Sequence, residues 1–172
     1  VIAFLSFGVR MAFAVWINPA SQELFDGLAV LSLAIALQSL FWGLATPVAG
    51  NIADKYGAGR VIAAAGLLYT IGLLLMTVST TPIMAHLSIG LLTGLAMSGA
   101  MFPIILSAIS RTVSVKKRDF YLGIASAGGA SGQVVMIPIG QYLVDTEGWV
   151  ITLYIMAGLT ALIIPVSYTH LT

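Results

Sequence analysis

One charged side chain stands inside an apolar stretch. Arg10 lies in Leu5-Ser6-Phe7-Gly8-Val9-Arg10-Met11-Ala12-Phe13, with apolar sequence on both sides. At 1.5 Å per helical residue, it falls about 15 Å from either surface of a bilayer. A charge at that depth costs roughly 2.5–3.5 kcal/mol even on insertion scales. Such a residue is expected to face a wet cavity or a counter-charge. The predicted spans hold no Asp or Glu that could pair with it. A guanidinium offers a planar fork of donors that suits a carboxylate in bidentate geometry. The expected partner is therefore an anionic group brought by a solute or by further protein. The competing reading ties Arg10 to backbone carbonyls or lets it snorkel past Gly8.

Two amides fall near the middle of other predicted spans, Gln38 and Gln133. An amide in hydrocarbon must find a hydrogen-bond partner. Together with Arg10 they could form one wet site, or each could bridge helices as packing glue. His86, Gly90, Thr93, Gly94, Met97 and Met101 recur at helical spacing, on one face of a fourth span. Gly90 and Gly94 form a small-xxx-small step for close helix approach, as do Gly128 and Gly132. Met97 and Met101 are adaptable fillers that could line a pocket, and His86 near a span end could sense pH.

Other chemistry is poorly supplied. With two His, no Cys and no intramembrane carboxylate, hydrolytic or metal catalysis lacks its clustered groups. No Gly-x-x-x-x-Gly-Lys run occurs, so ATP drive within this chain is not expected. No cofactor, metal or nucleic-acid partner is expected. A channel would want a ring of carbonyls or charges, and a scaffold leaves the cost of Arg10 unexplained.

The elements that hold these residues follow from composition. Hydrophobic residues make up 59% and charged residues 8% of 172, with mean hydropathy +1.05. A soluble domain carries about a quarter charged residues, so the expectation is an all-α membrane protein. Segments of roughly 20 apolar residues place six spans, at about 1–19, 28–49, 61–79, 83–109, 121–143 and 149–166, in one bundle. The apolar start has no charged n-region or cleavage site, so no signal peptide is expected. The missing initiator Met suggests a lost beginning. Residues 167–172, His170 among them, are expected to be a non-native tail. Lys55 and Arg60 lie in the second loop, and Arg111, Lys116, Lys117 and Arg118 in the fourth. Glu23, Asp26, Asp145 and Glu147 lie in the first and fifth. Since Lys and Arg stay on the cytoplasmic side, both chain ends are expected there, in a multi-pass protein of the cytoplasmic membrane.

The island Gly50-Asn51-Ile52-Ala53-Asp54-Lys55-Tyr56-Gly57-Ala58-Gly59-Arg60, between the second and third spans, resembles the signature loop of the major facilitator superfamily. Gly50, Ala53, Asp54, Lys55, Gly57 and Arg60 fit its pattern. Ala58 stands where a basic residue is common. The small-residue run of the fifth span, with Pro138 and Gly148-Trp149, is similar to bacterial members akin to monocarboxylate and oxalate–formate carriers. The resemblance implies the N-terminal half of a twelve-helix fold, with a missing C-terminal half as partner. It implies a secondary transporter of a small solute working by alternating access, with a small organic anion such as a monocarboxylate as cargo. It also implies that Asp54, Lys55 and Arg60, set by Gly50 and Gly57, form a charged latch between the halves. The alternative within the family is a neutral or drug-like solute with Arg10 structural. The family's basic residue within the fourth span and its Gly-Pro exchange motif are both absent, since Gly132 is followed by Gln133.

Overall fold

The computed structural model describes every residue except Asp26, Met101 and Thr172, and only the backbone of Arg111, Thr112, Thr169, His170 and Leu171. The candidate pocket residue Met101 and the His170 side chain therefore lie outside the described residues.

Three apolar sequences form unbroken helices: α1 (Ile2–Phe25), α2 (Ala29–Tyr56) and α3 (Ala58–Thr77). The fourth span starts at α4 (Pro82–Ala85). There Thr81 Oγ1 accepts from the Met84 N–H at 3.3 Å, and Pro82 occupies a first-turn position whose N–H would have no helical partner. It continues through a π-helical stretch, His86–Leu92, into α5 (Thr93–Ala100) and α6 (Phe102–Thr112). The remainder is α7 (Val115–Ala161) and α8 (Ile163–Leu171). No strand occurs among the described residues.

Five helical runs are long and apolar enough to cross a membrane, the last being Val115–Tyr168 with 54 residues. Straight, it would be about 80 Å long, far beyond a hydrocarbon core of about 30 Å. Gly148 breaks it, with φ 82° and ψ 168°, a backbone setting that a side chain would strain. The chain reverses there: a Cβ on Gly140 would stand 3.6 Å from Met156 Cε. The last run is thus two antiparallel limbs, which gives six apolar helical limbs among the described residues.

The helices are longer and the turns shorter than the sequence suggests. Helix α1 continues through Pro19 to Phe25, and the charged island is helical except at Gly57. That one residue, with φ 93° and ψ 140°, carries the whole reversal between α2 and α3, and its N–H donates to the Ala53 carbonyl at 3.0 Å. Gly50 and Gly59 lie inside helices. The reason is the backbone ladder: each extra helical turn satisfies its own N–H and C=O groups, so the helix propagates until a residue can leave it. The tail residues 167–171 are likewise a continuation of α8.

Packing follows close approaches at small residues, as expected where lipid is as apolar as any partner. Helix α1 crosses the first limb of α7 where Gly132 abuts the Phe4 backbone and Gly8 abuts Met136. Gly129 meets Phe102 and Phe7, and Gly140 meets Val15 and Ala12. The fourth span lies between α2 and α3. A Cβ on Gly94 would be 2.8 Å from the Gln38 carbonyl, and one on Gly72 would be 3.0 Å from the Ser88 carbonyl. The core between them contains Trp16, Tyr69, Leu73, Met97, Leu153 and Met156, all with no more than trace exposure.

Candidate solute site

Arg10 is half-buried on α1. Its Cζ lies 5.5 Å from the centroid of the Trp42 ring on α2, within range of a cation–π contact worth about 2 kcal/mol when desolvated. Its Nε is buried and has no hydrogen-bond partner within the protein. On α3, the Tyr69 hydroxyl is also buried and unpaired, and it lies within electrostatic reach of the guanidinium. Trp16 Nε1 and Ser6 Oγ, on α1, are in the same condition. A buried polar group left unpaired costs about 1–3 kcal/mol. The interior around α1 and α3 thus holds several hydrogen-bond donors whose capacity the protein does not use.

Gln38 lies one turn from Trp42 on the same face of α2, so the structure brings it close to the Arg10 level. Its amide is already committed. Nε2 donates to Thr93 Oγ1 at 2.6 Å, and Thr93 Oγ1 in turn donates to the Ile89 carbonyl. Gln38 is fully buried, and its Oε1 has no partner. It straps α2 to α5 rather than standing in an open wall. Gln133 is half-buried beside Gly132. Because Gly132 abuts Phe4, Gln133 sits about 7–8 Å nearer than Arg10 to the basic end of the bundle, where Lys55 and Arg60 lie, along the helix axis. Met97 is fully buried in the apolar core.

Gly90 and Gly94 both face α2, with a Cβ on Gly90 3.4 Å from the Ala34 carbonyl. The fifth-span step needs correcting. Gly132 is at the crossing, but a Cβ on Gly128 would meet nothing within 4 Å, whereas one on Gly129 would press on Phe102 of α6 at 2.8 Å and touch Phe7 of α1 at 3.5 Å. The α1-facing stripe is 129, 132, 136 and 140, and Gly128 is rotated off it. His86 is anchored: Nε2 donates to the Val30 carbonyl at 3.2 Å.

At the basic end, Asp54, Lys55 and Arg60 are exposed, and Lys55 Nζ lies 5.1 Å over the Tyr56 ring. Gly50 has open space around it. At the opposite end, Trp149 Nε1 donates to Glu23 Oε2 at 2.6 Å, tying the end of α1 to the start of the second limb.

Sequence reasoning missed Trp42 and Tyr69. Both had a signal: tryptophan and tyrosine favour the membrane–water interfaces, and these two lie well inside their spans.

Comparison with known proteins bears on these features. The Major Facilitator Superfamily profile matches residues 1–171. A voltage-gated purine nucleotide uniporter of Rattus norvegicus is 36% identical over 148 residues, covering 80% of this chain and 32% of that protein. Monocarboxylate transporter 2 of Homo sapiens is 29% identical over 154 residues, 86% of this chain and 31% of that protein. Monocarboxylate transporter 13 of Rattus norvegicus is 27% identical over 177 residues, 96% of this chain and 40% of that protein. The chain therefore spans about a third of the length of such relatives.

Proposed function

The chain belongs to the major facilitator superfamily, and on that premise we propose that it is the N-terminal half of a secondary transporter for a small organic anion. A bundle of six apolar limbs corresponds to half of that superfamily's twelve-helix architecture. The missing half supplies the other wall of the solute path, and rocking of one bundle against the other gives alternating access. The basic end faces the cytoplasm, following the retention of Lys and Arg on that side.

The observation that carries the anion reading is Arg10. Its guanidinium lies over the Trp42 ring, 5.5 Å from the centroid, while its Nε–H has no acceptor in the protein. A cation–π contact holds the charge without consuming its N–H donors, which leaves them for a carboxylate or phosphate. The relatives' names support an anion of some kind, since monocarboxylates and purine nucleotides both carry negative charge. They differ in size, so the class of anion is the open choice.

The test is uptake of labelled lactate and of labelled ATP into proteoliposomes holding the full-length protein. Two charge-assisted hydrogen bonds, at about 1.5–3 kcal/mol each, set the expected loss. Arg10→Gln should lower kcat/KM for the transported anion by at least about a hundredfold, with unchanged membrane insertion. Arg10→Lys, which keeps the charge but loses the planar fork, should fall between. Wild-type uptake by Arg10→Gln would assign the residue to structure and reopen the neutral-solute reading.

A further inference from the structure

Below the Gly57 reversal, α2 and α3 diverge and leave a crevice floored by α5, with a volume of about 350 Å³. Its walls are one face of each helix: Ala45, Ala49 and Ile52 from α2, and Val61, Ala64 and Leu68 from α3. Alanines on both walls leave the volume open, while Gly99 on the floor lets α5 pack closely against Val61 and Ala65 of α3. The crevice runs from Tyr56 and Arg60 at the basic end to Ala45 and Leu68. Along the helix axes that is about 12–17 Å, close to half of a 30 Å hydrocarbon core. Apart from Ser98 on the floor, whose hydroxyl donates to the Leu95 carbonyl, the lining is apolar up to its mouth, where Arg60 lines it and exposed Lys55 stands over Tyr56. Asp54, on the same turn, does not line it.

We propose that this crevice holds one acyl chain of an anionic phospholipid from the leaflet at the basic end, with the lipid phosphate on Arg60. Three features select that occupant. The depth is that of a single leaflet, whereas a partner helix would need a groove running the full thickness. Its volume of about 350 Å³ is a small fraction of that of a spanning helix about 10 Å across. The only charge on the lining is positive, and cytoplasmic leaflets are rich in anionic lipid. The inference depends on membrane embedding and on the crevice, and not on the identity of the cargo.

The experiment uses the full-length protein in nanodiscs doped with phosphatidylglycerol or phosphatidylcholine carrying a photoactivatable diazirine on the acyl chain, with labelled peptides mapped by mass spectrometry. Phosphatidylglycerol should label residues 45–68 about fivefold more than phosphatidylcholine, the preference that one basic side chain near the surface confers. Arg60→Gln should bring the ratio toward one, and Arg60→Lys should keep it. Ala64→Phe, which fills an exposed part of the crevice, should suppress labelling by both lipids. Equal labelling in the wild type, or a preference that survives Arg60→Gln, would reduce the crevice to ordinary lipid contact and overturn the proposal. So would absence of labelling by either lipid, which would mean that protein covers the crevice.

Discussion

Two neighbouring glycines should respond in opposite ways to the same methyl group. A Cβ at Gly132 would fall on the Phe4 carbonyl oxygen and stand 2.8 Å from Phe4 C and Cα. The obstacle is backbone, so no rotamer change can relieve it. Helix α1 must move away by roughly 0.5–1 Å, which forfeits a quarter to a half of the dispersion at each neighbouring contact. Those contacts include Gly8 against Met136 and Gly140 against Val15. Overpacking of this kind costs about 1–3 kcal/mol, a large share of a stability of about 5–15 kcal/mol. At Gly128 the added methyl meets nothing within 4 Å, and alanine is better than glycine in a helix by up to about 1 kcal/mol. Gly132→Ala should therefore unfold at clearly lower SDS fraction than wild type in mixed micelles, followed by tryptophan fluorescence. Gly128→Ala should match or exceed wild type. Equal midpoints for the two variants, or the reverse order, would refute the assignment of which glycine faces α1.

Further outcomes follow from other contacts. A double-mutant cycle on Gln38→Leu and Thr93→Val should give a coupling of about 0.6 kcal/mol and no more than about 1.7 in the same SDS titration; zero coupling would remove the α2–α5 strap. Gly57→Ala should destabilise by about 1–3 kcal/mol, because φ 93° with ψ 140° is a setting reserved for glycine. Gly50→Ala, inside α2 with open space around it, should be neutral or stabilising by the same assay. Asp54→Asn should slow transport turnover more than it weakens solute binding if the island acts as a latch between two bundle arrangements; an unaltered turnover rate would leave it a solvated turn.

Much of this protein can be read without coordinates. The apolar runs and their length specify helices at membrane depth, because a buried backbone must satisfy its own hydrogen bonds. The segregation of Lys and Arg into alternate connections points to orientation, and Arg10 is conspicuous because a charge in hydrocarbon is expensive wherever it points. Depth is partly legible because it follows position along the chain, although Gln133 lies nearer the basic end than its mid-span place suggests, since Gly132 packs against Phe4. Rotation about each helix axis is not legible, because the lipid-facing and protein-facing sides of a span are both apolar and leave no amphipathic period to follow. Only the tertiary structure, therefore, decides that Gly129 rather than Gly128 meets α1, that Gln38 is given to Thr93, that Met97 is sealed in the core, and that Trp42 lies beneath the Arg10 guanidinium. It also decides that one residue, Gly57, turns the chain where eleven looked like a loop, since helical hydrogen bonding extends as far as a backbone without strain allows.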